Sequence, residues 1–185
     1  MLLQSRHLKY CLLFAALGLS LWQSPKGFAE APGVQTDFPV IELQPLYGGE
    51  IASITIEGQL TYVDVWASWC SPCARTLPEL QKLSKEYAPD EVRFVMVSVD
   101  ENPDQARAFA HRIGVKEDQF SDPEGMLMTT LGVEGLPTGF LVDAKGNIRL
   151  VHVGGPPGAT DFLRTRIDQL LAEQRFQAAM NKVEN

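Results

Sequence analysis

The chain has 185 residues, 45% of them hydrophobic, and carries 16 lysines and arginines against 23 acids. That is enough apolar material for one globular domain and short for two. The acidic balance argues against nucleic acid or an anionic lipid surface as a partner.

Residues 1–29 read as an export signal. Arg6, His7 and Lys9 precede an apolar run from Leu12 to Trp22, and the small residues Gly27 and Ala29 suit cleavage before Glu30. The run is roughly 10 to 13 residues long, well below the ~20 that a membrane-spanning helix needs. Cleavage is therefore preferred over anchoring by residues 10–22, and the expected location is periplasmic or otherwise extracytoplasmic. Cys11 lies inside the run with more apolar sequence after it, which is the wrong place for a lipid-modified cysteine that begins a mature protein. Removing the signal leaves 13 bases, 23 acids and a net charge of −10.

Residues 30–36, with Pro32 and Gly33, suggest a flexible leader, and the folded domain is expected over 37–175 with a polar tail at 176–185. Val40 to Leu43 and Glu50 to Ile56, separated by Gly48-Gly49, suggest a hairpin. Thr61–Ala67 and Val92–Val99 are nearly continuous apolar runs of the kind found in parallel strands buried on both faces. Between them, Leu77, Leu80, Leu83 and Tyr87 recur at helical spacing from Cys73, with a kink expected at Pro78. Asn102 can cap a helix that has Pro103 at its first position and ends at Gly114. A short strand near Gln119–Ser121 and a short helix near Glu124–Leu131 follow. Gly139–Val142 and Ile148–Val153 then form a second hairpin, and a last helix is capped by Thr160. Strands alternating with helices argue for an α/β sandwich around a mixed sheet.

Two cysteines remain after cleavage, Cys70 and Cys73, and they are separated by only two residues. A bridge that short closes almost no chain, so its stabilising effect falls at the low end of the usual range of ~0 to 5 kcal/mol. A reactive pair is favoured over a structural one. The pair stands where a buried strand runs into a helix. There the unpaired N–H groups and the helix dipole favour thiolate over thiol at Cys70, while burial keeps Cys73 protonated. Cys70 can then attack a partner disulfide and Cys73 resolve the mixed disulfide, with Pro72 stiffening the loop.

Trp69-Cys70-Ser71-Pro72-Cys73, with Pro78 five residues on and Gly135-Leu136-Pro137-Thr138 about sixty residues later, resembles the thioredoxin superfamily. The phrase from Leu136 to Gly146, the export signal and the leading hairpin are similar to its TlpA and ResA-like branch of extracytoplasmic disulfide reductases. The resemblance covers about residues 37–172 and implies a thioredoxin-like three-layer sandwich. It also implies a cis peptide before Pro137, and at Leu136 a backbone edge that pairs with the bound client in strand fashion. Trp69, Ser71 and Pro72 would join that contact surface, whereas Trp66 is read as core. Asp64, an acid in an apolar strand, matches the thioredoxin position beneath the resolving cysteine and is the general-base candidate for Cys73. ResA-like proteins commonly carry Asn at this position and place their acid three residues after the second cysteine, which is Thr76 here.

The resulting expectation is a protein disulfide reductase with no cofactor beyond a redox-active Cys70–Cys73 disulfide. It would be fed by a membrane thiol reductase and would keep a client's cysteine pair open for metal or haem attachment. The alternative is an oxidant, or an accessory in copper-site or cytochrome assembly. Zinc is disfavoured because only His111 and His152 accompany the two cysteines. Met126-x-Met128 invites a copper reading, but core filling is preferred for both methionines. A peroxidase would call for a single attacking cysteine in a Thr/Pro-rich loop.

Overall fold

The computed structural model describes residues 37–183 apart from Thr55 and Glu57. The expected signal and leader lie outside the described residues. In chain order the elements are β1 (Glu42–Pro45), β2 (Ala52–Ser53), β3 (Leu60–Trp66), α1 (Ser71–Ser84), β4 (Val92–Ser98) and α2 (Pro103–Ile113). They continue as β5 (Asp118–Ser121), α3 (Met126–Leu131), β6 (Thr138–Val142), β7 (Ile148–Val153) and α4 (Ala159–Val183).

The strands form one seven-stranded sheet in the order β2-β1-β5-β4-β3-β6-β7. The central three, β5, β4 and β3, are parallel, and every other pairing is antiparallel. Burial on both faces explains why β3 and β4 read as unbroken apolar runs: all seven residues of β3 are buried, and all but one of β4. One face carries Leu60, Tyr62, Trp66, Phe94, Met96 and Leu141 under α1, α2 and α4. The other carries Val63, Val65, Val95, Val97 and Phe140 under α3 and the N-terminal segment around Phe38 and Ile41. Both expected hairpins are present.

The ends of the helices follow local chemistry. The Asn102 side chain accepts the Asp104 N–H at 3.0 Å, and Gly114 takes the left-handed conformation at φ 77° that closes α2. Helix α1 starts two residues earlier than periodicity indicates and runs through Pro78 to Ser84. Tyr87 falls outside it and donates its hydroxyl to Asp168 at 3.0 Å.

Three further expectations change. Thr160 does not cap α4: it lies inside the first turn and donates its hydroxyl to Glu79 at 3.0 Å. Helix α4 continues to Val183, through most of the segment expected as a tail, although its buried positions end at Leu171. Its last turns carry Ala172, Ala178, Ala179, Gln174 and Gln177, residues of high helix propensity that hold a helix without an apolar partner face. Met126 is 44% exposed at the open start of α3, so it does not fill the core; Leu127 and Leu131 do that.

One row across the α1 face of the sheet has an unusual composition. Met96, Asp64, Gly139 and His152 pair in sequence from β4 through β3 and β6 to β7. Gly139 has no side chain because the Tyr62 ring and His152 fill its place: a Cβ there would lie 2.1 Å from the Tyr62 hydroxyl oxygen and 2.5 Å from His152 Cε1. Gly139→Ala is expected to destabilise the fold by about 1–3 kcal/mol through overpacking. In thermal denaturation this corresponds to a Tm lowered by roughly 5 °C.

Candidate active site

Strand β3 ends at Trp66, and the chain turns through Ala67, Ser68 and Trp69 to put Cys70 at the N-cap of α1. This turn is held from β4's end. Asp100, 1% exposed, accepts the Ser68 N–H at 2.9 Å and the Ser68 hydroxyl at 2.6 Å, and Ser98 donates its own hydroxyl to Asp100 at 2.8 Å. Nothing in the sequence reading singled out Asp100. An acid just after a strand has many ordinary explanations, and its partner is 32 residues away.

Cys70 and Cys73 are joined by a disulfide. The first turn of α1 has few N–H groups to offer. Pro72 has none, the Ala74 N–H bonds the Cys70 carbonyl at 3.3 Å, and the Cys73 N–H donates to Cys70 Sγ at 3.2 Å. The sulfur thus occupies the position where a serine or aspartate oxygen would cap a helix. An anionic sulfur there gains both that hydrogen bond and the helix dipole. Cys70 is 5% exposed and Cys73 not at all.

Cys70 opens into an apolar depression lined also by Trp69, Ser71, Pro72, Val99, Met128, Gly135 and Leu136. Trp69 is 66% exposed beside it, whereas Trp66 is fully buried and stacks on Phe109 at 5.5 Å. The Leu136–Pro137 peptide is cis. Leu136 lines the depression, while Pro137 is buried behind it and passes its carbonyl to the Gly154 N–H at 2.7 Å. Thr76 is half-buried and turns its hydroxyl back to the Pro72 and Cys73 carbonyls, both at 3.4 Å. Its methyl faces Gly155, where a Cβ would come within 2.5 Å.

Asp64 lies in the same buried layer as Cys73, between the sheet and α1, with no exposure. Burial pushes its carboxyl up to about 8, against a smaller opposing effect from the Tyr62 hydroxyl, which donates to Oδ1 at 3.2 Å. Among the described residues Oδ2 has no hydrogen-bond partner. A carboxyl in this state can hold a proton at neutral pH and also release one. Among the described residues, no three His, Cys, Asp or Glu side chains converge as metal ligands. His111 is exposed on α2, and His152, one residue before the end of β7, is buried beside Tyr62.

Comparison with known proteins adds to this geometry. Residues 34–151 match the profile of the AhpC/TSA family. The chain belongs to that family. It is 31% identical over 141 residues to the sporulation thiol-disulfide oxidoreductase A of Bacillus subtilis, covering 75% of this chain and 84% of that one. It is 29% identical over 143 residues to the thiol-disulfide oxidoreductase ResA of Geobacillus thermodenitrificans, covering 77% and 82%. Among solved structures, a protein assigned as thiol:disulfide interchange protein DsbE from Chlorobium tepidum superposes with TM-score 0.70 at 28% identity, over 75% of this chain and 98% of that one. StoA from Bacillus subtilis gives 0.59 at 28%, over 71% and 98%. This AhpC/TSA member has the thioredoxin-like fold and is a thiol-disulfide oxidoreductase of the ResA and StoA type.

Two outcomes follow from the buried acids of the enzyme. Asp100→Ala leaves the Ser68 and Ser98 donors unpaired and is expected to cost about 2–3 kcal/mol, read as a lowered urea midpoint. Folded Asp64 keeps its proton to about pH 8, whereas a free aspartate loses it near 3.8. Between those values the native state binds more protons than the unfolded one, so this group's contribution to stability is lost as pH rises. Asp64→Asn has no proton to lose and should gain on the wild type by a few kcal/mol between pH 4 and pH 8. Urea unfolding at both pH values checks this.

Proposed function

We propose that the protein is an exported reductant of client protein disulfides, acting through Cys70 and Cys73 with Asp64 as the acid–base group for Cys73. The observation that carries the reading is the Cys70 sulfur capping α1 at the floor of an apolar depression. A thiolate favoured by a helix N-terminus and reachable by a protein surface is what disulfide exchange needs.

The cycle conserves electrons and protons. The Cys70 thiolate attacks a client disulfide; a mixed disulfide forms and the displaced client sulfur leaves as a thiolate. In the molecules whose Asp64 is ionised, a minority at neutral pH, Cys73 gives its proton to that carboxylate and attacks Cys70 Sγ, and the second client sulfur departs. Two electrons have passed to the client, and the Cys70–Cys73 disulfide remains. A membrane thiol reductase with its own cysteine pair would return the two electrons by the reverse exchange. The client's extended chain would lie along Leu136 beside the cis Pro137, with Trp69, Ser71 and Pro72 completing the contact. The amphiphilic character of Trp69, exposed beside the sulfur, suits a surface that must bind and release many segments.

Export is supported by the charged and then apolar start of residues 1–29. Among the described residues, no helix is long and apolar enough to cross a membrane. The reducing direction is supported by the ResA-like phrase from Leu136 to Gly146. A client whose cysteines must stay open for metal or haem attachment fits that direction.

Three measurements test the proposal. Cys70→Ser should abolish reduction of insulin disulfides. Asp64→Asn should slow turnover at neutral pH by about 10- to 100-fold, and a wild-type rate removes Asp64 from the mechanism. Equilibration with glutathione should give a potential of about −270 mV, whereas one of about −120 mV would make the protein an oxidant.

A further inference from the structure

The polar groups buried beneath α1 do not end at Asp64. The Tyr62 hydroxyl stands between Asp64 Oδ1, at 3.2 Å, and His152 Nε2, at 3.5 Å. The Tyr62 and His152 rings are nearly parallel, with 9° between their planes, and they meet over Gly139. A core has no packing need for this arrangement. A phenol, an imidazole and a carboxyl each cost free energy to desolvate, and the glycine that makes room for them weakens a strand. Leucine at 62 and valine at 152 would close the same layer with apolar surface.

The three groups differ in their access to water. Tyr62 and Asp64 have no exposure, while His152 retains 8%. The buried positions of α1 over this layer are Cys73, Leu77, Leu80 and Leu83, and those of α4 are Ala159, Leu163, Ile167, Leu170 and Leu171. Of these only Cys73 titrates. From the sheet, Met96 completes the row beside Asp64.

We infer that Tyr62 and His152 form a proton path that connects Asp64 with solvent, so that the proton taken from Cys73 leaves the core by way of the sheet. The inference rests on the reading of Asp64 as the acid–base group for Cys73. A hydroxyl accepts one hydrogen bond while donating another, and an imidazole takes a proton on one nitrogen while releasing one from the other.

The steps balance. Asp64, protonated by Cys73, passes its proton to the Tyr62 oxygen as the Tyr62 proton moves to His152 Nε2. The ring then releases its Nδ1 proton to water and returns to neutral. When the disulfide is reduced again the flow reverses: water protonates Nδ1, Nε2 gives its proton to Tyr62, and Tyr62 gives its own to Asp64 and so to Cys73. The return flow restores the starting tautomer. Burial holds the imidazole down at about 4 and the phenol well above its ordinary value, so both groups carry protons without storing charge.

The test is single-turnover resolution of a mixed disulfide on Cys70, followed at low buffer concentration. Asp64→Asn, Tyr62→Phe and His152→Asn should each slow the step by about tenfold or more. Added imidazole buffer should restore the rate in the His152 variant and leave the Asp64 variant slow. A slow Asp64→Asn beside wild-type rates in both other variants, each folded by circular dichroism, overturns the path and leaves Asp64 in place. A wild-type rate in Asp64→Asn overturns the path together with the base. If either substituted protein fails to fold, the wild type decides: the rate in mixtures of light and heavy water should curve with deuterium fraction, and a straight line, meaning one proton in motion, overturns the inference.

Discussion

The hydrogen bond from the Cys73 N–H to the Cys70 sulfur is the constraint around which the rest of the molecule is arranged. A helix that starts directly after a buried strand must find acceptors for its first N–H groups. Here proline removes one donor, a carbonyl takes another, and sulfur takes the third. The turn before the helix has to hold that sulfur at one point in space. Asp100 does so from the neighbouring strand through both Ser68 donors, although it touches neither cysteine in any hydrogen bond described.

The second organising element is the acid placed where solvent cannot reach. Asp64 is tolerated because Tyr62 supplies one hydrogen bond and because burial keeps the carboxyl protonated near neutrality. An ionised, unpaired carboxylate at that depth would cost far more. The α1 face of the sheet thus holds a polar seam within an otherwise apolar layer, and the opposite face, under α3, holds a core of aliphatic side chains and phenylalanines.

Much of this was legible in the residues alone. Strands buried on both faces announce themselves as unbroken apolar runs, and β3, β4 and β7 begin and end within one residue of the runs that indicated them. Capping chemistry located α2 in the same way. The dithiol, Trp69, Leu136 and Pro137 stood out because their residue types are specific and their spacing short. What escaped notice depends on contacts distant in sequence. In the sequence Tyr62 is one aromatic among many and His152 one of few histidines, and their meeting becomes visible only once β6 separates β3 from β7. Helix α4 outran its apolar stripe because helix propensity, with ion pairs from Glu173 to Arg149 and from Arg175 to Glu91, sustains it past its last buried residue. Met126 is exposed because α3 starts at that residue, which leaves its side chain at the open end of the helix.

Gly139 has a historical implication. Its neighbours Tyr62 and His152 occupy the volume that any larger residue would claim, and they come from strands on either side of it. Substitutions at these three sites cannot have accumulated in arbitrary order: the glycine had to arise before, or together with, the aromatic pair. In a lineage that has acquired all three the glycine is locked in, since reverting it alone would collide with what it once admitted. Loss runs in the opposite order: either aromatic can go while the glycine stays, and the glycine goes last.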